Sequence, residues 1–215
     1  AMYLPQYHET EDNNKWWGKG FTDWISVKNS EKLFEGHRQP REPLGDRYYD
    51  LSDVDNIRWQ VDLAKKYGVY GFGIYHYWFS SQKQTLTKPA ELLLENKDIA
   101  MPFFLAWDNN SWVRTWSKYK HNTNAWSPKA DTNSEKKGDD GFLAKLDYGT
   151  EKDWEIHFNY LNRFFSDSRY IKVDGKPLFI IWNYTDKERL KEMCIYWRKL
   201  AIEAGYPGLY LINRY

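Results

Sequence analysis

The run Trp107-Asp108-Asn109-Asn110-Ser111-Trp112-Val113-Arg114-Thr115-Trp116 sets three indoles, a carboxylate, two carboxamides and a guanidinium close together. Indoles offer flat apolar faces, and the amides and carboxylate offer hydrogen-bond donors and acceptors. A pyranose asks for both, because it presents a C–H face for stacking and a ring of hydroxyls. Asp108 is therefore the candidate acid or base, Asn109 and Asn110 are candidate hydroxyl-binding amides, and Trp107 and Trp112 are candidate platforms. Glycoside hydrolysis ordinarily uses two carboxyl groups, and no second carboxylate has a claim comparable to that of Asp108. Trp112 and Trp116, four residues apart, would also suit one face of a short helix.

A second group is Tyr75-His76-Tyr77-Trp78-Phe79, and a third is Gln6-Tyr7-His8. A histidine at a strand end can move protons or bind a hydroxyl, and it can equally be a satisfied core group. His8, His76 and Asp108 together are a familiar type of metal-ligand set. The first strand lacks the H-x-H pairing common in barrel metallohydrolases, so neither metal nor cofactor is expected. The aromatic run Trp16 to Trp24 adds Trp17, Asp23 and Trp24, and Trp182-Asn183-Tyr184 adds Trp182. The predicted sugar-binding set is thus Tyr7, His8, Trp17, Asp23, Trp24, Tyr75, His76, Trp107, Asn109, Asn110, Trp112 and Trp182, with Asp108 as the catalytic candidate.

These groups follow short apolar runs without alternation: Met2 to Tyr7, Tyr70 to Trp78, Met101 to Trp107, Leu178 to Trp182 and Leu209 to Ile212. Such runs suit strands buried on both faces, as in a parallel sheet. Helix patterns lie between them. Ser52 or Asp53 can cap a helix carrying Val54, Ile57, Val61 and Ala64 and ending at Gly68. Thr150 and Asp153 form a capping-box pattern before Trp154, Phe158, Leu161 and Phe165. A third helix runs from Thr185 with Glu188 to Gly205, and a shorter one covers Pro89 to Asn96.

Strands alternating with helices predict βα units, in a barrel or a doubly wound sheet. The first strand is followed by Pro5-Gln6-Tyr7-His8 and not by a Gly-rich dinucleotide turn, which favours the barrel. In a barrel the polar and aromatic residues after each strand would converge on one face. The prediction is a single partial TIM-barrel domain over residues 1–215, holding the first five or so βα units, with a polar insertion at 117–147. The segment from Glu9 to Asp50 reads as a long functional loop.

Composition narrows the partners. The 215 residues carry 31 basic and 30 acidic side chains, a formal net charge of +1, which argues against a nucleic-acid or polyanion partner. The lone Cys194 sits in a helix pattern and suits a buried helix position. No run approaches the ~18 apolar residues of a membrane span, and the start shows no signal-peptide pattern, so a cytoplasmic location is expected. Aromatic residues make up 19% of the chain, and many stand beside Asn, Asp, His or Gln, a pairing suited to a glycan.

Tyr3-Leu4-Pro5-Gln6-Tyr7-His8, Trp16-Trp17-Gly18-Lys19-Gly20-Phe21-Thr22-Asp23-Trp24, Pro40-Arg41 and Tyr49-Asp50-Leu51-Ser52-Asp53 resemble the opening of WbsX-like proteins, a group similar to glycoside hydrolase family 99. The likeness continues through Tyr67 to Phe72, Tyr75 to Phe79 and Arg169 to Pro177. It implies a (β/α)8 barrel related to endo-acting α-mannosidases, encoded among bacterial genes for cell-surface polysaccharide such as lipopolysaccharide, and often labelled glycosyltransferases. A carbohydrate-active enzyme follows from it, hydrolase or transferase, with a non-catalytic glycan-binding protein as the alternative. The hydrolase relatives use two glutamates on a Trp-Asn-Glu-Trp-x-Glu-like motif late in the barrel. That motif is absent here, and the resemblance places it after Tyr215. Two positions depart from the family pattern: Asn110 and Asp23 each stand where Glu is common.

Overall fold

The computed structural model describes residues 1–113, 142–184 and 186–213. Five parallel strands carry the fold: β1 (Met2–Tyr3), β2 (Phe72–Ser80), β4 (Phe103–Trp107), β8 (Lys176–Ile181) and β9 (Tyr210–Asn213). Their neighbour order is also their chain order, with Met2 opposite Gly73, Phe72 opposite Phe103, Leu105 opposite Phe179 and Leu178 opposite Tyr210. A doubly wound sheet would reverse that order partway. Short antiparallel pieces decorate the sheet: β3 (Lys83–Thr85) on β2, β7 (Lys172–Val173) on β8, and the pair β5 (Trp112–Val113) with β6 (Phe142–Ala144). β7 and β8 meet at Asp174-Gly175, where both residues have positive φ, as a two-residue hairpin turn requires.

Helices α3 (Val54–Lys66), α4 (Lys88–Glu95), α5 (Glu151–Phe165) and α6 (Lys187–Glu203) connect the parallel strands. The predicted caps hold for two of them: the Asp53 carboxylate accepts from the Asp55 amide, and Asp153 Oδ2 accepts from the Thr150 amide at 2.8 Å. For α6 the cap is Asp186, whose carboxylate accepts from the Arg189 amide; Thr185, predicted to start this helix, lies outside the described residues. Two helices form within the stretch predicted to be a loop: α1 (Glu11–Trp17), capped by the Thr10 hydroxyl and stopped by Gly18, and α2 (Asp23–Lys28). Of the predicted insertion, 117–141 lie outside the described residues, whereas Phe142–Ala144 form a strand. Trp112 is in a strand, not a helix.

Successive residues of a strand point to opposite faces. On one face Ile74, Trp78, Phe103, Leu105, Trp107, Phe179 and Ile181 pack against helix residues including Ile57, Val61, Leu93, Phe158, Phe164, Leu190 and Trp197. This is the main core, a layer of helices on a sheet. On the other face, near the strand ends, Tyr77 and Phe79 pack with Trp16, Trp17, Phe21, Leu86 and Ala144 in a second cluster. Further down that face Met2, Tyr210 and Ile212 are exposed, and among the described residues β1 and β9 each pair on one side alone. Gly73 leaves room there, because a Cβ would sit 2.9 Å from Met2 Sδ and against the Phe104 ring.

At the amino ends of the strands one side chain ties several elements together. Arg169 donates to the carbonyls of Leu93 (2.8 Å), Asn96 (3.0 Å) and Ile99 (2.8 Å), and to both oxygens of buried Asp167 at 2.9 Å. Lys97 also pairs with Asp167. Among the described residues no helix is long and apolar enough to cross a membrane.

Candidate active site

At the carboxyl ends of β1, β2 and β4 the second cluster encloses a cavity of about 330 Å³. Helix α1 brings Asn13, Trp16 and Trp17, and the turn into α2 brings Phe21 and Asp23. Gln6 comes from the segment after β1, Tyr77 from β2, and Asp108, Ser111 and Trp112 from the segment after β4; Leu86, Val113 and Leu143 complete the wall. The aromatic wall is continuous: the Trp112 ring lies 5.0 Å from Tyr77, 5.4 Å from Phe79 and 6.0 Å from Trp16. Edge contacts of this kind fix ring positions before a ligand arrives. The Gln6 side-chain amide donates to the Tyr77 hydroxyl at 2.8 Å, which orients both.

Two carboxyl groups face this space. Burial pushes Asp23 up to about 6, opposed by its own backbone N–H at the start of α2. Burial also raises Asp108, but the side chains of Asn110 and Trp112 donate to it and favour its ionised form. Burial keeps the Tyr77 phenol protonated, and the negative charges of Asp108 and Asp23 act in the same direction, whereas the bond from Gln6 opposes them. Among the described residues no Lys or Arg lines the cavity.

A family model described as Glycosyltransferase WbsX matches residues 1–215. The chain belongs to that family. In two strains of Xanthomonas campestris pv. campestris it resembles a protein called "Uncharacterized protein WxcX", 31% identical over 212 residues. The match covers 98% of this chain and 27% of each relative, so the WbsX chain spans about a quarter of the length of the curated relatives it matches.

The structure brings four of the predicted site residues of this WbsX chain to the cavity: Trp17, Asp23, Asp108 and Trp112. Tyr7 and Trp24 stand beside it with Tyr49; the Tyr7 and Trp24 rings are 4.5 Å apart, and the Trp24 indole donates to the Tyr49 carbonyl at 2.8 Å. His8 is buried, with Nδ1 lacking a hydrogen-bond partner among the described residues. Tyr75 stacks on Tyr77 and against Trp182, on the cavity face of the sheet but outside the cavity lining. Asn110 bridges Asp108 and Asn183.

Three predicted residues turn elsewhere. His76 faces the helix layer, its Nε2 2.8 Å from Nε2 of His157 on α5, and burial lowers both imidazoles. His76 therefore does not meet His8 and Asp108, and among the described residues no three His, Cys, Asp or Glu groups come together as a metal site. Trp107 is also in the main core, its indole donating to the Trp78 carbonyl at 2.9 Å. Asn109 is fully buried and acts as a tie: its amide donates to the Asn183 carbonyl and the Tyr148 hydroxyl, and its oxygen accepts from the Asn183 amide at 2.7 Å. The reason is the two-residue period of the strand, which sends 75 and 77 one way and 76 and 78 the other. That same period would have selected Tyr77. Asn13, Trp16 and Phe21 lie outside the predicted set because the segment carrying them reads as a loop, although Thr10, Glu11, Asp12 and Gly18 mark both ends of a short helix.

Proposed function

We propose that this chain is the glycan-holding part of a carbohydrate-active enzyme of bacterial polysaccharide biosynthesis that acts on glycosidic bonds, and that its five sequential strands are the first part of a (β/α)8 barrel. The observation that carries this reading is the cavity itself. Trp16, Trp17, Trp112 and Tyr77 offer stacking faces, while Gln6, Asn13, Asp23 and Asp108 offer the hydroxyl-binding groups that a sugar requires. Its place at the carboxyl ends of parallel strands is where barrel enzymes keep their sites. The two carboxylates, without a lining Lys or Arg among the described residues, suit a sugar of a glycan chain better than the diphosphate of an activated donor. Hydrolysis and transfer to an acceptor hydroxyl both fit this arrangement.

The test is titration of the protein with mannose-containing oligosaccharides, followed by tryptophan fluorescence and by release of new reducing ends. Saturable quenching that Trp112→Ala weakens supports the glycan site. Absence of quenching and of cleavage across a broad panel defeats the reading. A second reading, a non-catalytic glycan-binding protein, is favoured by Asn110 standing at the family's glutamate position; quenching without turnover by the full-length polypeptide would select it.

A further inference from the structure

The cavity joins two acidic groups to a wall of rings and supplies no positive charge of its own. Asp23, from the start of α2, and Asp108, after β4, are brought by the fold to one small space of about 330 Å³. Among the described residues no Lys or Arg lines it; Lys83 stands outside the lining, 5.8 Å from the centre of the Trp16 ring, and its charge is already paired with Asp12. Asn110 and Trp112 donate to Asp108, but neutral donors leave its charge uncancelled. The faces of aromatic rings are the negative part of their quadrupole and attract cations, and here Trp16, Trp17, Tyr77 and Trp112 share the lining with the two carboxyls. The bond from the Trp112 side chain to Asp108 holds one of those rings beside a carboxylate. Carboxylates accept and do not donate, so the best ligand group for them is rich in donors and positively charged: an ammonium brings three donors and a charge, a hydroxyl one donor and none.

We propose that the sugar selected by this cavity carries a free, protonated amino group, held by Asp23 and Asp108 and flanked by the rings of Trp16 and Trp112. This rests on the glycan reading above and narrows it from a neutral sugar to a cationic amino sugar. The cavity lies near the lower end of ligand-pocket sizes, so a ring seated in it brings its own substituents to these groups. The carboxyls act here in binding and specificity, and the bond chemistry is left to other groups of the full-length polypeptide. N-acetylation of the amine would weaken recognition twice, since it removes the charge and adds a carbonyl acceptor among acceptors. A sugar bearing a carboxylate or phosphate would meet two like charges with no described cation to offset them.

The experiment is a tryptophan-fluorescence titration of the full-length polypeptide at pH 7. The probes are methyl α-mannoside, its 2-, 3-, 4- and 6-amino-deoxy derivatives, and the N-acetylated form of each amine. At least one amine should bind roughly 10- to 100-fold tighter than the parent mannoside, and N-acetylation should erase that gain. D23N and D108N should each shrink the ratio of amine to parent affinity. Because the ratio is taken within one variant, a general loss of folding does not imitate the effect, and the N-acetyl comparison needs no variant at all. Binding of the parent or the N-acetylated sugars as tight as that of every amine would overturn the amino-sugar assignment and leave the glycan site standing. A preference for an amine that persists undiminished in both variants would overturn the role given to the two carboxyls. Failure of every probe to bind would remove the glycan reading itself, and the amino-sugar assignment with it.

Discussion

Replacing Arg169 by Ala removes the side chain that ties the amino ends of the strands together. The guanidinium makes five hydrogen bonds, two to Asp167 and three to the carbonyls of Leu93, Asn96 and Ile99. The Asp167 side chain is 1% exposed and that of Arg169 11%, so solvent screens this pair little. The partners left to Asp167 would be the backbone amide of residue 169, 2.9 Å from Oδ1, and Lys97, whose 64% exposed ammonium contributes little to such a pair. Breaking a buried pair from one side costs about 3–5 kcal/mol. At about 2–4 °C per kcal/mol for a domain of this size, Tm should drop by roughly 6–20 °C in a thermal melt followed by circular dichroism. Burial alone would raise Asp167, but the bonds from Arg169 and Lys97 hold its carboxyl below the ordinary range. Its stabilising effect is therefore complete above the unfolded value of about 4 and fades as pH falls below that. The R169A penalty should shrink accordingly in melts below pH 4. A Tm change under about 2 °C at pH 7, or a penalty indifferent to acid, would refute this account of the clamp.

Three further outcomes follow from the same geometry. His76 is lowered to about 3 by burial, so its contribution is complete above the unfolded value of about 6.5 and is lost as pH falls towards 3; at pH 5 the loss amounts to about 2 kcal/mol. Urea midpoints compared at pH 7.5 and pH 5 should show that slope, and His76→Asn should reduce it. Gly71→Ala should cost about 1–3 kcal/mol in the same assay, because the new Cβ would lie 2.6 Å from the Pro102 carbonyl oxygen, a backbone atom that cannot swing aside. Trp112→Ala should weaken glycan binding by roughly 10- to 100-fold, the equivalent of about 1.4–2.8 kcal/mol; retained affinity in a fluorescence titration would take Trp112 out of the site.

The helices α3 and α5 were legible in the sequence because cap, apolar period and stop signal agreed for each, as Asp53 to Gly68 and Thr150 to Phe165 illustrate. The parallel strands were legible because both of their faces are apolar. What the unbroken apolar runs concealed was their internal alternation: Tyr75, His76, Tyr77 and Trp78 look alike as a string, yet two serve the helix layer and two the opposite face. The candidate carboxylates illustrate the other limit. Asp108 stood out beside its indoles and Asp23 beside Trp24, but that both carboxyls face one cavity is a property of the folded neighbourhood that a local reading lacks. Trp16 and Phe21 were hidden for a third reason, since a helix as short as α1 yields too few turns for a period to register.

The division of β2 also carries a practical consequence for redesign. Position 77 lines the cavity and 75 packs beside it, whereas changes at 76 and 78 disturb a buried aromatic stack in which the Trp78 and His157 rings lie parallel at 4.2 Å. A library meant to retune ligand preference can therefore vary one register of this strand and hold the other constant, keeping most members folded.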